Sequence, residues 1–176
     1  KEAEKIAKRY LEDFKCKRNK DVENFLHNLS IRYERENKAR TYLITDEELE
    51  IVAYFSIGVK PILIDEKKHV LSKQQKKDMK LEVINKEDKR HEVISTFLIG
   101  QIARNDKFDK STIGLEEILG QVFNKINEVV KIIGGKIILI EVDNNPILVK
   151  HYEKFGFKII KDGSNDELTQ LMKFNG

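Results

Sequence analysis

The sequence predicts a mixed α/β fold, a central sheet of about six or seven strands flanked by roughly three or four helices. Three observations carry that expectation. β-rich runs recur from "ARTYLIT" to "LTQLMKF", a long amphipathic stretch lies between two of them, and the run that follows it, "KIILIEV", is continuously apolar. Strand, long helix and strand in succession make a βαβ unit, with parallel strands and a right-handed crossover.

The elements follow in order. Ile6, Tyr10, Leu11 and Phe14 are spaced for a helix over 2–14, with strand as the alternative for part of it. A second helix is expected from Asp21 to Asn37: Asp21 is placed to cap it, and Val22, Phe25, Leu26, Leu29 and Tyr33 form one stripe. "ARTYLIT" and "EIVAYFSIGV" read as a hairpin joined through the polar "DEEL". Ser72 to Lys80 reads as a short charged helix, and "KLEVINKEDKRH" as either a solvated loop or another hairpin arm. "EVISTFLIGQIA" is a long strand. From Ile113 to Ile133 the pattern is an amphipathic helix with Leu115, Ile118, Leu119, Val122, Ile126, Val129 and Val130 inward, stopped by Gly134 and Gly135. "KIILIEV" reads as a central strand covered on both faces. A short helix (Ile147 to Lys154), a turn at Gly156 and the runs "FKII" and "LTQLMKF" complete the chain.

Composition bounds the function. A length of 176 residues suits one domain, 1–176, with a real core. Apolar residues make up 40% and charged residues 36%, the balance of a soluble globular protein. The net charge of +3 permits a nucleic-acid partner without arguing for one. Cys16 stands alone, which excludes an internal disulfide and fits a reducing compartment. No apolar run approaches the ~20 residues of a membrane span, and the first residues lack a secretory stretch, so a cytoplasmic location is expected. His27, His69 and His91 are scattered, and no metal site is expected from them. "KCKRNK" and "KEDKRH" read as solvated surface, with tRNA binding as the sharper alternative.

One stretch carries a chemical signal. "IARNDKFDKSTIGLEEIL" (Ile102 to Leu119) is ordered as strand, polar loop and helix start, an arrangement in which backbone amides converge on an anion. Such cradles use several glycines so that phosphate can approach the backbone. Here only Gly114 remains, and Asp109 stands where a cation would be welcome. "EVDNNP" lies at the same end of the next strand, the end at which α/β sheets bind ligands.

With these motifs in place the sequence resembles the GNAT (Gcn5-related) N-acetyltransferases. Asp109 to Gly114 lines up on that family's Arg/Gln-x-x-Gly-x-Gly/Ala loop, departing from it at Asp109 and Thr112. Asn145, Tyr152, Gly156 and Phe157 fall in register on its closing motif. "FKCK", "VENFL" and "ARTYLI" resemble the N-terminal half of the toxin-like branch from bacterial toxin–antitoxin modules, which acetylates aminoacyl-tRNA.

The resemblance implies a fold with a splay between the two middle strands, acetyl-CoA as co-substrate, an amine acceptor, and a homodimer or antitoxin as possible partners. It implies roles for named residues. Backbone amides of Ile102, Ala103 and Arg104 would hold the thioester arm and the oxyanion. Asp109, Lys110, Ser111, Thr112, Ile113 and Gly114 would cradle the pyrophosphate, with Lys107 and Lys110 offsetting the charge of Asp109. Asn145 would hydrogen-bond the pantetheine arm, a routine helix cap before Pro146 being the plainer reading. Tyr152 would protonate the departing thiolate, the plainer reading being a packed ring. No general base stands out; Glu141 and His151 are candidates by proximity only. The acceptor is open between aminoacyl-tRNA, a protein amine and a small amine, and a binding module without catalysis is the rival class.

Overall fold

The longer helices form where the apolar stripe predicts them, and three helices begin at the capping side chains of Asn19, Ser72 and Asn145. The computed structural model describes residues 2–65, 67–79, 92–163 and 168–175. The stretch 80–91, "KLEVINKEDKRH" with its basic cluster and His91, lies outside the described residues. Helix α1 spans Glu2–Glu12. The second predicted helix is real but interrupted: α2 (Lys20–Asn24), a π-helical turn (Phe25–Leu29) and α3 (Ser30–Arg35) run end to end. Its cap is Asn19 and not Asp21, because the Asn19 side chain accepts the Asp21 and Val22 amides at 3.0 and 3.4 Å.

The strands are β1 (Ala39–Thr45), β2 (Ile51–Ile64), β3 (Glu92–Arg104), β4 (Ile137–Val142), β5 (Lys158–Lys161) and β6 (Thr169–Phe174). Among the described residues they form one six-stranded mixed sheet in the order β1-β2-β3-β4-β6-β5. The expected hairpin is β1 with β2, antiparallel from Ala39 opposite Gly58 to Thr45 opposite Ile51. β2 runs five residues beyond the predicted end at Val59. Pro61 is tolerated there because the β1–β2 ladder ends at Gly58, so its missing N–H breaks no bond to β1. A short helix α4 (Lys73–Asp78) follows, closed by the Ser72–Gln75 capping box. The long helix α5 (Leu115–Ile133) begins two residues later than predicted, and Ile118, Leu119, Val122 and Ile126 are its buried stripe. Gly134 and Gly135, at φ of 76° and 113°, end it in a conformation that side chains resist. Helix α6 (Pro146–Lys154) is followed by a turn at Gly156.

The chain divides into two compact units, Lys1–Gly58 with Ile99–Gly134, and Val59–Leu98 with Gly135–Gly176. The first has a core of Leu11, Phe14, Cys16, Phe25, Leu26, Ile51, Tyr54 and Ala103. Phe14 and Tyr54 meet edge to face at 5.1 Å, and the Tyr54 hydroxyl donates to the Val22 carbonyl at 2.5 Å. In the second, Ile62, Ile64, Ile137, Leu139, Ile160 and Met172 pack together, with Ile94 and Leu98 against them. Full burial of each such side chain contributes roughly 1.5–3 kcal/mol.

Candidate active site

The predicted phosphate loop lies in the first unit, between the end of β3 and the first turn of α5. Its base is pinned by a residue that sequence reasoning passed over. Asn105 is 2% exposed. Its Oδ1 accepts the Lys15 amide at 3.1 Å and the Lys107 amide at 3.2 Å, and its Nδ2 donates to the Ile51 carbonyl at 2.8 Å. Asp106 extends the clamp, donating its amide to the Lys15 carbonyl and accepting the Lys17 amide at 2.6 Å. The "KCKRNK" segment therefore has a structural task at its start.

The loop tip is held by the chain's own carboxylates. Asp109 Oδ1 accepts the Ser111 amide at 2.7 Å, the Ser111 hydroxyl at 2.5 Å and the Thr112 amide at 3.3 Å. These bonds, the Ser111 hydroxyl first, hold the Asp109 carboxyl below its usual range. One turn on, Glu117 folds back and accepts the Gly114 amide at 2.9 Å. Gly114 makes room for it, since an added Cβ would lie 2.7 Å from Glu117 Oε2. Three amides expected to face phosphate thus already have anionic partners. Lys107 does not offset Asp109 as expected, because its ammonium pairs with Glu50. Lys110 is exposed on the loop; Ile113 is buried, and its carbonyl accepts from Arg104 Nη1 at 3.3 Å. Ile102, Ala103 and Arg104 end β3, Ala103 in the core of this unit.

The second unit holds the other candidates. Asn145 is the N-cap of α6: its side chain accepts the Ile147 and Leu148 amides at 3.0 and 3.4 Å, with Pro146 next in the chain. Tyr152, on the same helix, is 3% exposed and meets Phe157 edge to face at 5.9 Å. Burial pushes its phenol up to about 12, so the group is protonated at neutral pH. Glu141, near the end of β4, accepts Lys60 Nζ at 2.5 Å on one oxygen and Gln170 Nε2 at 2.8 Å on the other. A carboxylate bonded on both oxygens suits a fixed anion better than a base awaiting a proton. His151 is exposed on α6.

Some of this was readable and some was not. The Gly114–Glu117 spacing is that of a capping box, so Glu117 could have been found. Lys60, His69 and Gln170 carried no local signal. Among the described residues, no group of three or more His, Cys, Asp or Glu side chains is placed to hold a metal ion.

The six-stranded mixed sheet flanked by helices is the GNAT fold. Its neighbours among solved structures are toxins of toxin–antitoxin modules. A tyrosine-to-phenylalanine mutant of the KacT toxin matches with a TM-score of 0.70 and 16% identity, over 93% of this chain and 86% of that one. The corresponding type of mutant of the AtaT toxin gives 0.67 and 16%, over 93% and 82%. AtaT complexed with acetyl-methionyl-tRNAfMet gives 0.65 and 18%, over 94% and 86%. By sequence, no family model and no curated protein matches the chain.

Proposed function

We propose that this chain is an acetyl-CoA-dependent N-acetyltransferase whose acceptor is the α-amine of an aminoacyl-tRNA. Tyr152 carries the reading: a buried, protonated phenol on a helix capped by Asn145, within a GNAT fold. Structures of AtaTR bound with acetyl-CoA and of AtaT complexed with acetyl-methionyl-tRNAfMet support the donor and the acceptor class. Structures of AtaT with the C-terminus of AtaR and of a KacTA–DNA complex support an antitoxin-type partner.

The chemistry is direct attack. The neutral amine adds to the thioester carbonyl, amides near the end of β3 such as that of Ile102 hold the oxyanion, the C–S bond breaks, and the surplus proton of the amine ends on the departing thiolate. A phenol pushed up to about 12 is a weaker acid than a thiol near ~8.5, so full proton transfer to the departing sulfur is uphill. Tyr152 therefore acts first as a neutral hydrogen-bond donor to the departing sulfur. An α-amine near ~8 needs little help to be neutral, whereas a lysine-type amine near ~10.4 needs a base. Because Glu141 is engaged on both oxygens, this favours the α-amine.

Tyr152→Phe is expected to lower kcat by ~100-fold while leaving the acetyl-CoA Kd unchanged, measured by acetyl incorporation and calorimetry. An unchanged kcat removes Tyr152 from this role. Acceptors are compared by mass spectrometry on charged tRNA, polyamines and a peptide pool offered side by side. A second reading, a binding module without catalysis, is favoured by the occupied loop amides. Absence of binding heat with acetyl-CoA at high micromolar concentration would decide for it.

A further inference from the structure

The turn between β1 and β2 holds an outlier of the backbone. Leu49 takes a φ of 64° there, a left-handed conformation that side chains other than those of glycine, asparagine and aspartate resist. The side chain is also 67% exposed, so its burial does not offset that strain. Hydrogen bonds hold the turn instead. Leu49 donates its amide to the Asp46 carbonyl at 3.2 Å, Glu50 donates its amide to Asp46 Oδ1 at 2.8 Å, and the Tyr10 hydroxyl on α1 donates to the Leu49 carbonyl.

What this turn presents is Glu50. Its carboxylate takes the ammonium of Lys107, which stands two positions before Asp109 at the root of the proposed donor loop. The Glu50 bond first, then the charges of Glu50, Asp46 and Asp13, push the Lys107 ammonium up. The backbone of Lys107 is fixed, because Asn105 Oδ1 accepts its amide at 3.2 Å. Asn105 also grips the start of β2, its Nδ2 donating to the Ile51 carbonyl and its amide to the Val52 carbonyl, both at 2.8 Å. Glu50 and Lys107 therefore face each other from two stretches that Asn105 locks together. The anchor of the lysine is rigid and its four-carbon stem is not.

Stability does not account for the arrangement. The Lys107 and Glu50 side chains are 58% and 44% exposed, and an ion pair so open to solvent contributes little to the folded state. A strained turn held beside a weak pair is the mark of a switch, where one conformation is kept ready to give way to another.

We propose that the Glu50–Lys107 pair is an autoinhibitory latch on the donor loop, closed in the free protein and opened when a donor phosphate draws Lys107 away from Glu50. This rests on the acetyltransferase reading. While the pair is closed, the loop lacks its nearest cation, and the apparent affinity for the donor is reduced by the fraction of molecules in that state. Two phosphate groups outcompete one carboxylate for an ammonium, whereas a single weak anion does not. Once Lys107 has left, Glu50 turns into water and the Leu49 backbone can relax. The strain of the turn thus favours the open state and offsets part of the cost of parting the pair.

The test is calorimetry with acetyl-CoA at one ionic strength, on the wild type, Glu50→Gln, Lys107→Met, the double variant and Leu49→Asn, each shown by a thermal melt to be folded. Glu50→Gln releases the lysine and should tighten the Kd by about three- to tenfold. Lys107→Met should weaken it by a similar factor, and the double variant should match Lys107→Met, because the gain runs through the lysine. Asparagine accepts the left-handed backbone, so Leu49→Asn should steady the closed turn and weaken binding by about threefold. A Glu50→Gln gain that persists in the Lys107→Met background is plain relief of charge repulsion and overturns the latch. So does a Leu49→Asn variant that binds as the wild type does, or a Kd that no variant moves. Binding by Glu50→Gln where the wild type shows none supports the latch and the acetyltransferase reading together. Absence of binding heat from the wild type and every variant overturns that reading, and the latch with it.

Discussion

Asp109 illustrates how one side chain sets the state of a whole loop. Its carboxylate holds two amides and a hydroxyl that a pyrophosphate would meet under the proposed function, and it would add like charge beside that pyrophosphate. Removing that charge while keeping the side chain's shape should help the donor bind. Asp109→Asn is expected to tighten acetyl-CoA binding by about tenfold in calorimetry, with the gain shrinking at high salt because the residue is exposed. A Kd that stays the same or weakens would show that the carboxylate does not compete with the donor. The oddity of Asp109 was legible in the sequence, since a glycine-poor cradle with an acid at its start stands out. Which atoms it holds was not legible, because that depends on how the loop closes on itself. The expected compensation by Lys107 failed for the same reason: Glu50, 57 positions away, takes it.

Among the elements, α6 and the interrupted helix from Lys20 to Arg35 show what spacing reveals and what it hides. The start of α6 was readable from Asn145-Pro146, an acceptor side chain followed by a residue that has no N–H to offer. Asn145→Ala should cost about 1 kcal/mol and lower Tm by roughly 2–4 °C in a thermal melt. A melt that does not move would mean that the two cap bonds contribute nothing net. The α5 stripe was readable because buried positions recur at helical spacing at Ile118, Leu119, Val122 and Ile126, over about two and a half turns. The π turn at Phe25–Leu29 was not, since the same residues suit an unbroken α-helix. Nor was the extension of β2 through Pro61, which depends on where the partner strand happens to end. Caps and stripes are local properties; interruptions and overruns are set by neighbours far along the chain.

For the molecule as a whole, the two buried tyrosines of the five, Tyr54 and Tyr152, tie folding to alkaline pH. Burial first, and the Cys16 thiol second, push the Tyr54 phenol far up, and burial pushes Tyr152 up to about 12. In the unfolded chain both ionise near ~10, so above that pH the unfolded state has released protons that the native state keeps. Stability is therefore unaffected by these groups at neutral pH and falls as pH rises from about 10 through 12. Tyrosinate absorbance at high pH should show both hydroxyls ionising only as the protein unfolds, and reversible titration of all five near pH 10 in folded protein would refute it. At this scale the order of elements was legible almost throughout, because periodicity and turn residues write it into the chain. The long-range partnerships were not, the Lys60–Glu141–Gln170 row and the Asn105 clamp above all. That clamp has a consequence for assembly and for proteolysis. It closes a contour of 90 residues, from Lys15 to Asn105, so the foothold of the proposed donor loop exists only once two distant segments have met. Under the proposed function, acetyl-CoA binding should then mature after the β1–β2 hairpin during refolding, and a protease nick near Lys15 should abolish it in a molecule whose strands still hold.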